Sequence, residues 1–275
     1  MAVRKFFRVM IAAVACLGMA AGCAGTHGSP AEKTGASANG AQTTGESLGD
    51  VQVFAAASLN TVLKEIVKET VEKDHPGTKP LFQFQGSQNL VDQMAGGAPA
   101  DILLTADEKN MKKAVDKSLV KNPQIFTGNT LVLVVPKGNP GKVTGFGDGS
   151  LDGKRLVVCA HGVPCGNATE KLSELNNVRL WPVSEEQKVT DVLDKVSSGE
   201  ADAGVVYKTD AMLRKAKVEV IEIPKADQVV NKYMIAIAAT APNAKASQAV
   251  LDAVLSDAGQ AILEKYGFMP VAKIK

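Results

Sequence analysis

Apolar and polar positions follow two different periods along residues 50–275, and the first change of period lies in VQVFAAASLNTVLK (51–64). The apolar start is typical of a buried strand. From Leu59 onward the apolar positions are 59, 62, 63, 66, 67 and 71, with Lys and Glu between them. That spacing predicts a helix with one buried face. LFQFQ (81–85) predicts a second strand, and GSQNLVDQM after it predicts a second strand-to-helix turn.

Further short apolar runs, each bounded by Gly, Pro, Asn or Asp, predict buried strands. These are DILLT (101–105), TLVLVVP (130–136), KRLVVCA (154–160), a run ending at Tyr207, KVEVIEIP (217–224) and KYMIAIAA (232–239). A helix with its apolar face at positions 189, 192, 193 and 196 lies between two of them, and a helical stretch from Asn243 to Tyr266 follows the last. Alternating strands and helices predict an α/β fold with mostly parallel sheets.

Two of these strands, 130–136 and 232–239, divide the chain into three portions. If the chain crosses between two lobes there, residues 49–128 and 232–275 form the first lobe and residues 129–231 form the second. Composition alone does not require this division, so it is a hypothesis.

The first 22 residues, MAVRKFFRVMIAAVACLGMAAG, have a basic start, an apolar stretch and small residues before Cys23. This pattern is typical of a secretory signal peptide. MAAGC resembles a bacterial lipobox, which predicts that residues 1–22 are removed and that Cys23 becomes the lipidated first residue. The alternative is a plain signal peptide with an incidental cysteine; the apolar run is too short for a membrane span. Residues 23–49 are rich in Gly, Ser, Thr and Ala and predict a flexible tether.

The charge balance gives no support for a nucleic-acid partner. Loss of the signal peptide removes Arg4, Lys5 and Arg8, which leaves 28 of the 31 basic residues against 29 acidic ones. Aromatic residues make up 4% of the chain. A nucleic-acid surface needs a basic face and stacking rings, so we expect no nucleic acid.

Cys159 and Cys165, in CAHGVPC, are the two cysteines of the folded part. In an exported protein, two cysteines this close across a turn-rich segment predict a disulfide. The alternative is a metal site formed by Cys159, His161 and Cys165, but the sequence offers no fourth ligand nearby. We therefore predict a disulfide and no metal.

Ser58 and Ser87 each stand at a predicted strand-to-helix turn, beside small residues. The first turn of a helix exposes N–H groups without intrahelical partners and carries a partial positive charge, so it attracts anions. A hydroxyl there can donate to an anion, or it can cap its own helix. Neither serine has a Lys or Arg within several residues, whereas a usual phosphate site recruits one. An anion here would be held by uncharged groups.

Six ordered segments resemble the molybdate-binding proteins of bacterial ABC importers, which have the type II periplasmic-binding-protein fold. They are VFAAASL (53–59), GAPADILLTADEKNM (97–111), GNTLVLVVP (128–136), VPCG (163–166), GVVYKTDA (204–211) and YGF (266–268). The resemblance covers essentially all of residues 50–275. It implies two lobes, each a mostly parallel sheet flanked by helices, with the ligand in the cleft between them.

The resemblance also implies which residues bind the ligand. The family's two serine ligands fall on Ser58 and Ser87, its backbone donors on Cys165 and Val189, and its tyrosine hydroxyl on Tyr207. Tyr207 could instead be a core tyrosine with a satisfied hydroxyl. The chain has Gln88 where the family often has a serine, and Cys165 where it has alanine. A backbone N–H does not depend on the side chain, so the second departure need not harm binding.

The function implied by the resemblance is that of an exported lipoprotein on the outer face of the cytoplasmic membrane. It would capture molybdate or tungstate as its lobes close and deliver the anion to an ABC permease and its ATPase, as a monomer without a cofactor. A receptor for sulfate or another tetrahedral oxyanion is the alternative. A serine or cysteine enzyme would need Ser58 or Cys165 activated by a base. His75 follows the helix from Leu59 and would lie about 24 Å away, and a disulfide would occupy the thiol near His161, so we expect no enzyme.

Overall fold

The computed structural model describes residues 45–274, and the strands in this range form two five-stranded sheets. The predicted signal peptide (1–22), the lipidation site Cys23 and the tether as far as residue 44 lie outside the described residues. Two mixed sheets flanked by helices confirm the predicted two-lobed α/β fold. Across residues 45–274, no helix is long and apolar enough to cross a membrane.

The strands of residues 45–274 are numbered in chain order. They are β1 (Asp50–Ala56), β2 (Lys79–Gln85), β3 (Ile102–Thr105), β4 (Val120–Asn129), β5 (Leu131–Pro136), β6 (Leu156–Cys159), β7 (Ser184–Glu186), β8 (Ala203–Tyr207), β9 (Val218–Glu222) and β10 (Asn231–Ala238). The first sheet has the order β2-β1-β3-β10-β4, and the second has the order β7-β6-β8-β5-β9.

Each sheet is mostly parallel, with one reversed strand. In the first sheet β1 pairs parallel with β2 and β3, and β10 runs antiparallel between β3 and β4. In the second sheet β6 pairs parallel with β7 and β8, and β5 runs antiparallel between β8 and β9. The carboxyl ends of the parallel strands therefore share one edge in each sheet, which is where open α/β sheets bind ligands.

The helices of the described range cover the faces of these sheets. They are α1 (Asn60–Glu69), α2 (Val71–Asp74), α3 (Ser87–Ala95), α4 (Glu108–Asp116), α5 (Pro164–Leu175), α6 (Val189–Ser197), α7 (Lys208–Leu213), α8 (Ala244–Leu255) and α9 (Asp257–Lys265). The apolar faces predicted for α1 and α6 are buried. Burial of each such aliphatic side chain contributes roughly 1.5–3 kcal/mol, so these faces hold the two helices against the sheets.

Some boundaries differ from the sequence prediction. Residues 57–59 form a short 3-10 turn before α1. The stretch 243–266 is two helices, because Ser256 is extended and its hydroxyl accepts a hydrogen bond from the N–H of Gly259. Strand β4 was not predicted: its sequence VKNPQIFTGN has four exposed residues in a row and lacks an apolar pattern.

The chain passes between the sheets beside the two strands singled out in the sequence. It enters the second sheet at Thr130, between β4 and β5, and returns through residues 223–230, between β9 and β10. The strands β5 and β10 themselves each lie wholly within one sheet. The lobe boundaries derived from the sequence stay a prediction.

Candidate ligand-binding site

One pocket brings all five sequence-predicted binding residues together. Ser58, Ser87, Cys165, Val189 and Tyr207 all line it. The two serines follow strands of the first sheet. Cys165 and Val189 lie in helices that follow strands of the second sheet, and Tyr207 ends one of its strands. A ligand in this pocket would therefore contact both sheets.

Helix N-termini surround the pocket, and their first-turn N–H groups are not capped by side chains. Helices α3, α5, α6 and α7 follow Gly86, Val163, Lys188 and Tyr207, and none of these four residues makes a side-chain cap to any residue of the described range. By contrast, α4, α8 and α9 are capped by Asp107, Asn243 and Ser256. The donors and partial positive charges at the ends of α3, α5 and α6 are thus available to an anion. The first N–H of α7, that of Lys208, instead donates to the carbonyl oxygen of Thr130 at 2.9 Å.

Ser58 lies in the 3-10 turn before α1 and is buried. Its Oγ is 2.8 Å from the hydroxyl oxygen of Tyr233 on β10. The Tyr233 hydroxyl is 3.5 Å from Nδ2 of Asn129, and this Nδ2 also donates to Oγ1 of Thr209 at 2.8 Å. The alternative that Ser58 caps its own helix is wrong, because its hydroxyl bonds to another strand.

Ser87 is the first residue of α3 and is fully buried. Its Oγ accepts a hydrogen bond from the N–H of Ala106 at 3.0 Å. The capping alternative is wrong here as well, because α3 has no side-chain cap within the described chain. Since the hydroxyl oxygen is engaged as an acceptor, its hydrogen is free to be donated to a ligand.

Tyr207 ends β8, and only 1% of its surface is exposed. Its hydroxyl accepts a hydrogen bond from Nδ2 of Asn231 at 3.1 Å. Burial raises the pKa of Tyr207 well above its ordinary value, so the hydroxyl keeps its proton. Tyr207 is therefore a neutral residue of the pocket lining whose hydroxyl can donate a hydrogen bond.

Cys165 and Val189 place backbone N–H groups in the first turns of α5 and α6. A disulfide joins Cys165 to Cys159, with Cα atoms 5.7 Å apart, and so ties the start of α5 to the end of β6. The predicted disulfide is present, and the alternative metal site is wrong because the two sulfurs bond to each other. Nδ1 of His161 instead lies 2.8 Å from Oε1 of Glu170.

Three residues near the pocket were missed in the sequence. Asn231 and Tyr233 lie on β10 and contact the hydroxyls of Tyr207 and Ser58. Lys188 lines the pocket, but its Nζ lies 3.4 Å from Oδ1 of Asp191. A polar residue at the start of an apolar strand, as in NKYMIAIA, is the one local signal that could have flagged Asn231.

The two sides of the pocket meet at its rim. Nε2 of Gln88, on α3, donates to the carbonyl oxygen of Gln187 at 3.1 Å. Gly86 lies so close to the same carbonyl that an added Cβ would be 2.2 Å from it. A second contact joins α4 to the turn before α5, where Nδ2 of Asn110 donates to the carbonyl of Gly162 at 3.3 Å. These contacts set how closely the two sides approach each other.

The fold and the pocket define a two-lobed binding protein rather than an enzyme. The family of bacterial extracellular solute-binding proteins matches residues 51–269, and the chain belongs to this family.

Relatives with known names support this assignment and confirm the resemblance found in the sequence. The molybdate-binding protein ModA of Mycobacterium tuberculosis is 39% identical over 219 residues, which cover 79% of this chain and 84% of that protein. An ABC transporter substrate-binding lipoprotein of Bacillus subtilis, YvgL, is 32% identical over 96% of this chain and 98% of its own length.

The fold itself is shared with receptors for other anions. The sulfate-binding protein SubI of Mycobacterium tuberculosis is 18% identical, with a TM-score of 0.64 over 81% of this chain and 87% of that one. The fold alone therefore does not decide which solute this chain binds.

Proposed function

We propose that this chain captures molybdate or tungstate in the pocket and delivers it to an ABC permease and its ATPase. The observation that carries the proposal is the convergence of the five predicted donors on one pocket, among helix N-termini that side chains leave uncapped. The molybdate-binding name of the 39% identical relative supports the choice of anion.

The donor chemistry of the pocket suits a fully deprotonated oxyanion. Molybdate and tungstate offer only acceptor oxygens, and Ser87 and Tyr207 have hydroxyl oxygens already engaged by Ala106 and Asn231. Their hydrogens are left for the ligand. Monohydrogen phosphate would turn its proton toward a donor and leave a buried group unpaired, which costs about 1–3 kcal/mol. Sulfate is also all acceptor, so only the size of the pocket would discriminate against it.

The proposal has uncharged donors holding the anion, although one lysine lines the pocket. Lys188 is the basic residue that lines the pocket, and its ammonium has Asp191 as a nearby carboxylate. The anion would therefore be held by hydroxyls, N–H groups and helix dipoles. Donors from both sheets would close around it, and a hinge motion of this kind changes the outer shape that a permease contacts.

Calorimetry on residues 50–275 tests the proposal. We expect molybdate and tungstate to bind with dissociation constants well below micromolar and sulfate to bind far more weakly. Ser58→Ala and Ser87→Ala should each weaken molybdate binding by about 1–3 kcal/mol, the cost of an unmatched buried acceptor. Sulfate affinity equal to that of molybdate would favour the sulfate receptor instead.

Ser256→Ala is the matched control for the serine variants. Ser256 caps α9, away from the pocket. Its removal should cost about 1 kcal/mol of unfolding free energy and leave the affinity unchanged. If Ser58→Ala and Ser87→Ala also leave the affinity unchanged, the proposed pocket is wrong.

We also propose that Cys23 carries a lipid that anchors the chain to the outer face of the cytoplasmic membrane, with the predicted tether leading from it to the fold. The last five residues of the predicted tether, 45–49, pack on the fold instead, since Leu48 is buried and its N–H donates to Oγ1 of Thr78 at 3.0 Å. The lipobox-like MAAGC and the lipoprotein name of the relative that spans 96% of this chain support it. Mass spectrometry of membrane fractions should find a lipid on Cys23, and Cys23→Ala should release the protein into the medium. An unmodified Cys23 in the exported protein would contradict the anchor.

A further inference from the structure

Asn231 connects three segments that surround the pocket. It is the first residue of β10, 6% exposed, at the point where the chain returns to the first sheet. Its Nδ2 lies 2.9 Å from the carbonyl oxygen of Ala106, 3.1 Å from the hydroxyl of Tyr207 and 3.3 Å from the carbonyl oxygen of Pro164. Two of these partners can only accept, so the NH₂ group of the amide must face them.

Each of the three acceptors belongs to a predicted binding group. The Tyr207 hydroxyl is one of the donors itself. The carbonyl of Pro164 and the N–H of Cys165 are two ends of one planar peptide group, so a bond to the carbonyl fixes the direction of the N–H. The carbonyl oxygen of Ala106 accepts a hydrogen bond from Asn231, and the N–H of the same residue donates to Oγ of Ser87.

The amide of Asn231 is incompletely satisfied. Its Oδ1 is buried and has no hydrogen-bond partner among residues 45–274. A buried, unmatched oxygen costs stability and calls for an explanation other than packing. Its NH₂ group has two hydrogens for the three acceptors, which indicates that donation to the pocket segments is the purpose of this side chain.

We propose that Asn231 is a positioning residue that directs the Tyr207 hydroxyl hydrogen and the Cys165 N–H toward the bound oxyanion. The inference rests on the proposed function of the pocket. A hydroxyl that already accepts from Asn231 has its hydrogen left for the ligand. Because the donors are aligned before the anion arrives, less conformational freedom is lost on binding.

A double-mutant cycle with molybdate as the probe tests this role. Asn231→Ala and Tyr207→Phe should each weaken binding by about 10- to 100-fold. The double variant should be weaker than wild type by clearly less than the product of the two single effects, because Asn231 acts partly through Tyr207. Effects that multiply would mean that Asn231 only supports the general structure, and an unchanged affinity in Asn231→Ala would overturn the proposal.

Asn243→Ala is the matched control. Its Nδ2 also donates to two backbone carbonyls, those of Leu48 and Asp50, but it caps α8 away from the pocket. It should lower the melting temperature of the ligand-free protein without changing the affinity. If Asn231→Ala does not fold, Asn231→Asp keeps the shape of the side chain and removes its donors. We expect Asn231→Asp to bind at least 100-fold more weakly, and wild-type affinity in this variant would overturn the proposal.

The outcomes also separate this inference from the proposed function. If wild type prefers sulfate to molybdate, the proposed function is wrong, and the same cycle run with sulfate decides the role of Asn231. If wild type binds none of molybdate, tungstate and sulfate, both proposals are wrong.

Discussion

Gly86→Ala should weaken molybdate binding by at least 100-fold while leaving the protein folded. Gly86 has φ −61° and ψ 139°, which alanine adopts freely. An added Cβ would nevertheless lie 2.2 Å from the carbonyl oxygen of Gln187, a backbone atom on the other side of the pocket. The clash would hold Ser58 and Ser87 apart from Cys165, Val189 and Tyr207. Calorimetry measures the affinity, and small-angle scattering in excess molybdate should detect a failure to close.

Gly96→Ala is the control at the other end of α3. Gly96 follows the last residue of α3, and its added Cβ would meet its nearest atoms at 3.4 and 3.5 Å, which is ordinary contact. We expect its affinity to equal that of wild type. Equal affinity in Gly86→Ala as well would mean that binding does not require the close approach at Gln187.

Asp210→Asn should stabilise the protein at pH 8 and have little effect near pH 4. Asp210 is 4% exposed, and its Oδ2 has no hydrogen-bond partner in the described part of the chain. Burial raises the pKa of this carboxyl from 3.8 to about 7. Between these two values the folded protein holds a proton that the unfolded chain releases, so stability falls as the pH rises through this window and levels off above it.

The unfolding free energy that wild type loses through Asp210 as the pH rises is at most about 4 kcal/mol, since one pKa unit corresponds to about 1.4 kcal/mol. Thermal unfolding of the ligand-free protein at several pH values measures it. Wild type should lose stability between pH 4 and 8, and Asp210→Asn should show a flatter profile. Asp227→Asn removes an exposed carboxylate and should behave as wild type. Parallel profiles for Asp210→Asn and wild type would mean that Asp210 is ionised in the fold without a penalty.

Elements with a strong apolar pattern could be predicted from the sequence. The buried faces of α1 and α6 and the largely buried strands β5 and β8 follow from local spacing, because burial on a helix face or on both sides of a strand selects apolar residues. Strand β4 could not be predicted in this way. It is held in the sheet by pairing with β10, which lies far away in sequence and leaves no local pattern.

The residues of the binding site also differ in whether the local sequence could identify them. Ser58 and Ser87 could be identified from their local setting, since a serine after an apolar strand and before a helix indicates an exposed helix end. Cys165, Val189 and Tyr207 came from the resemblance to a family. Asn231 and Lys188 were missed. The polar start of NKYMIAIA is the local signal that could have flagged Asn231, whereas Lys188, directly before α6, has no local pattern that sets it apart from other lysines.

The uncapped helix ends constrain how this protein can be engineered for thermostability. Asp or Ser at an N-cap usually stabilises a protein by about 1 kcal/mol, and Gly86, Val163 and Lys188 are three such open positions. A side chain that satisfies those N–H groups would compete with the anion for them, and a carboxylate would also repel it. A more thermostable variant of this receptor should therefore be stabilised at other positions, because at these three N-cap positions a gain in thermostability would weaken ligand binding.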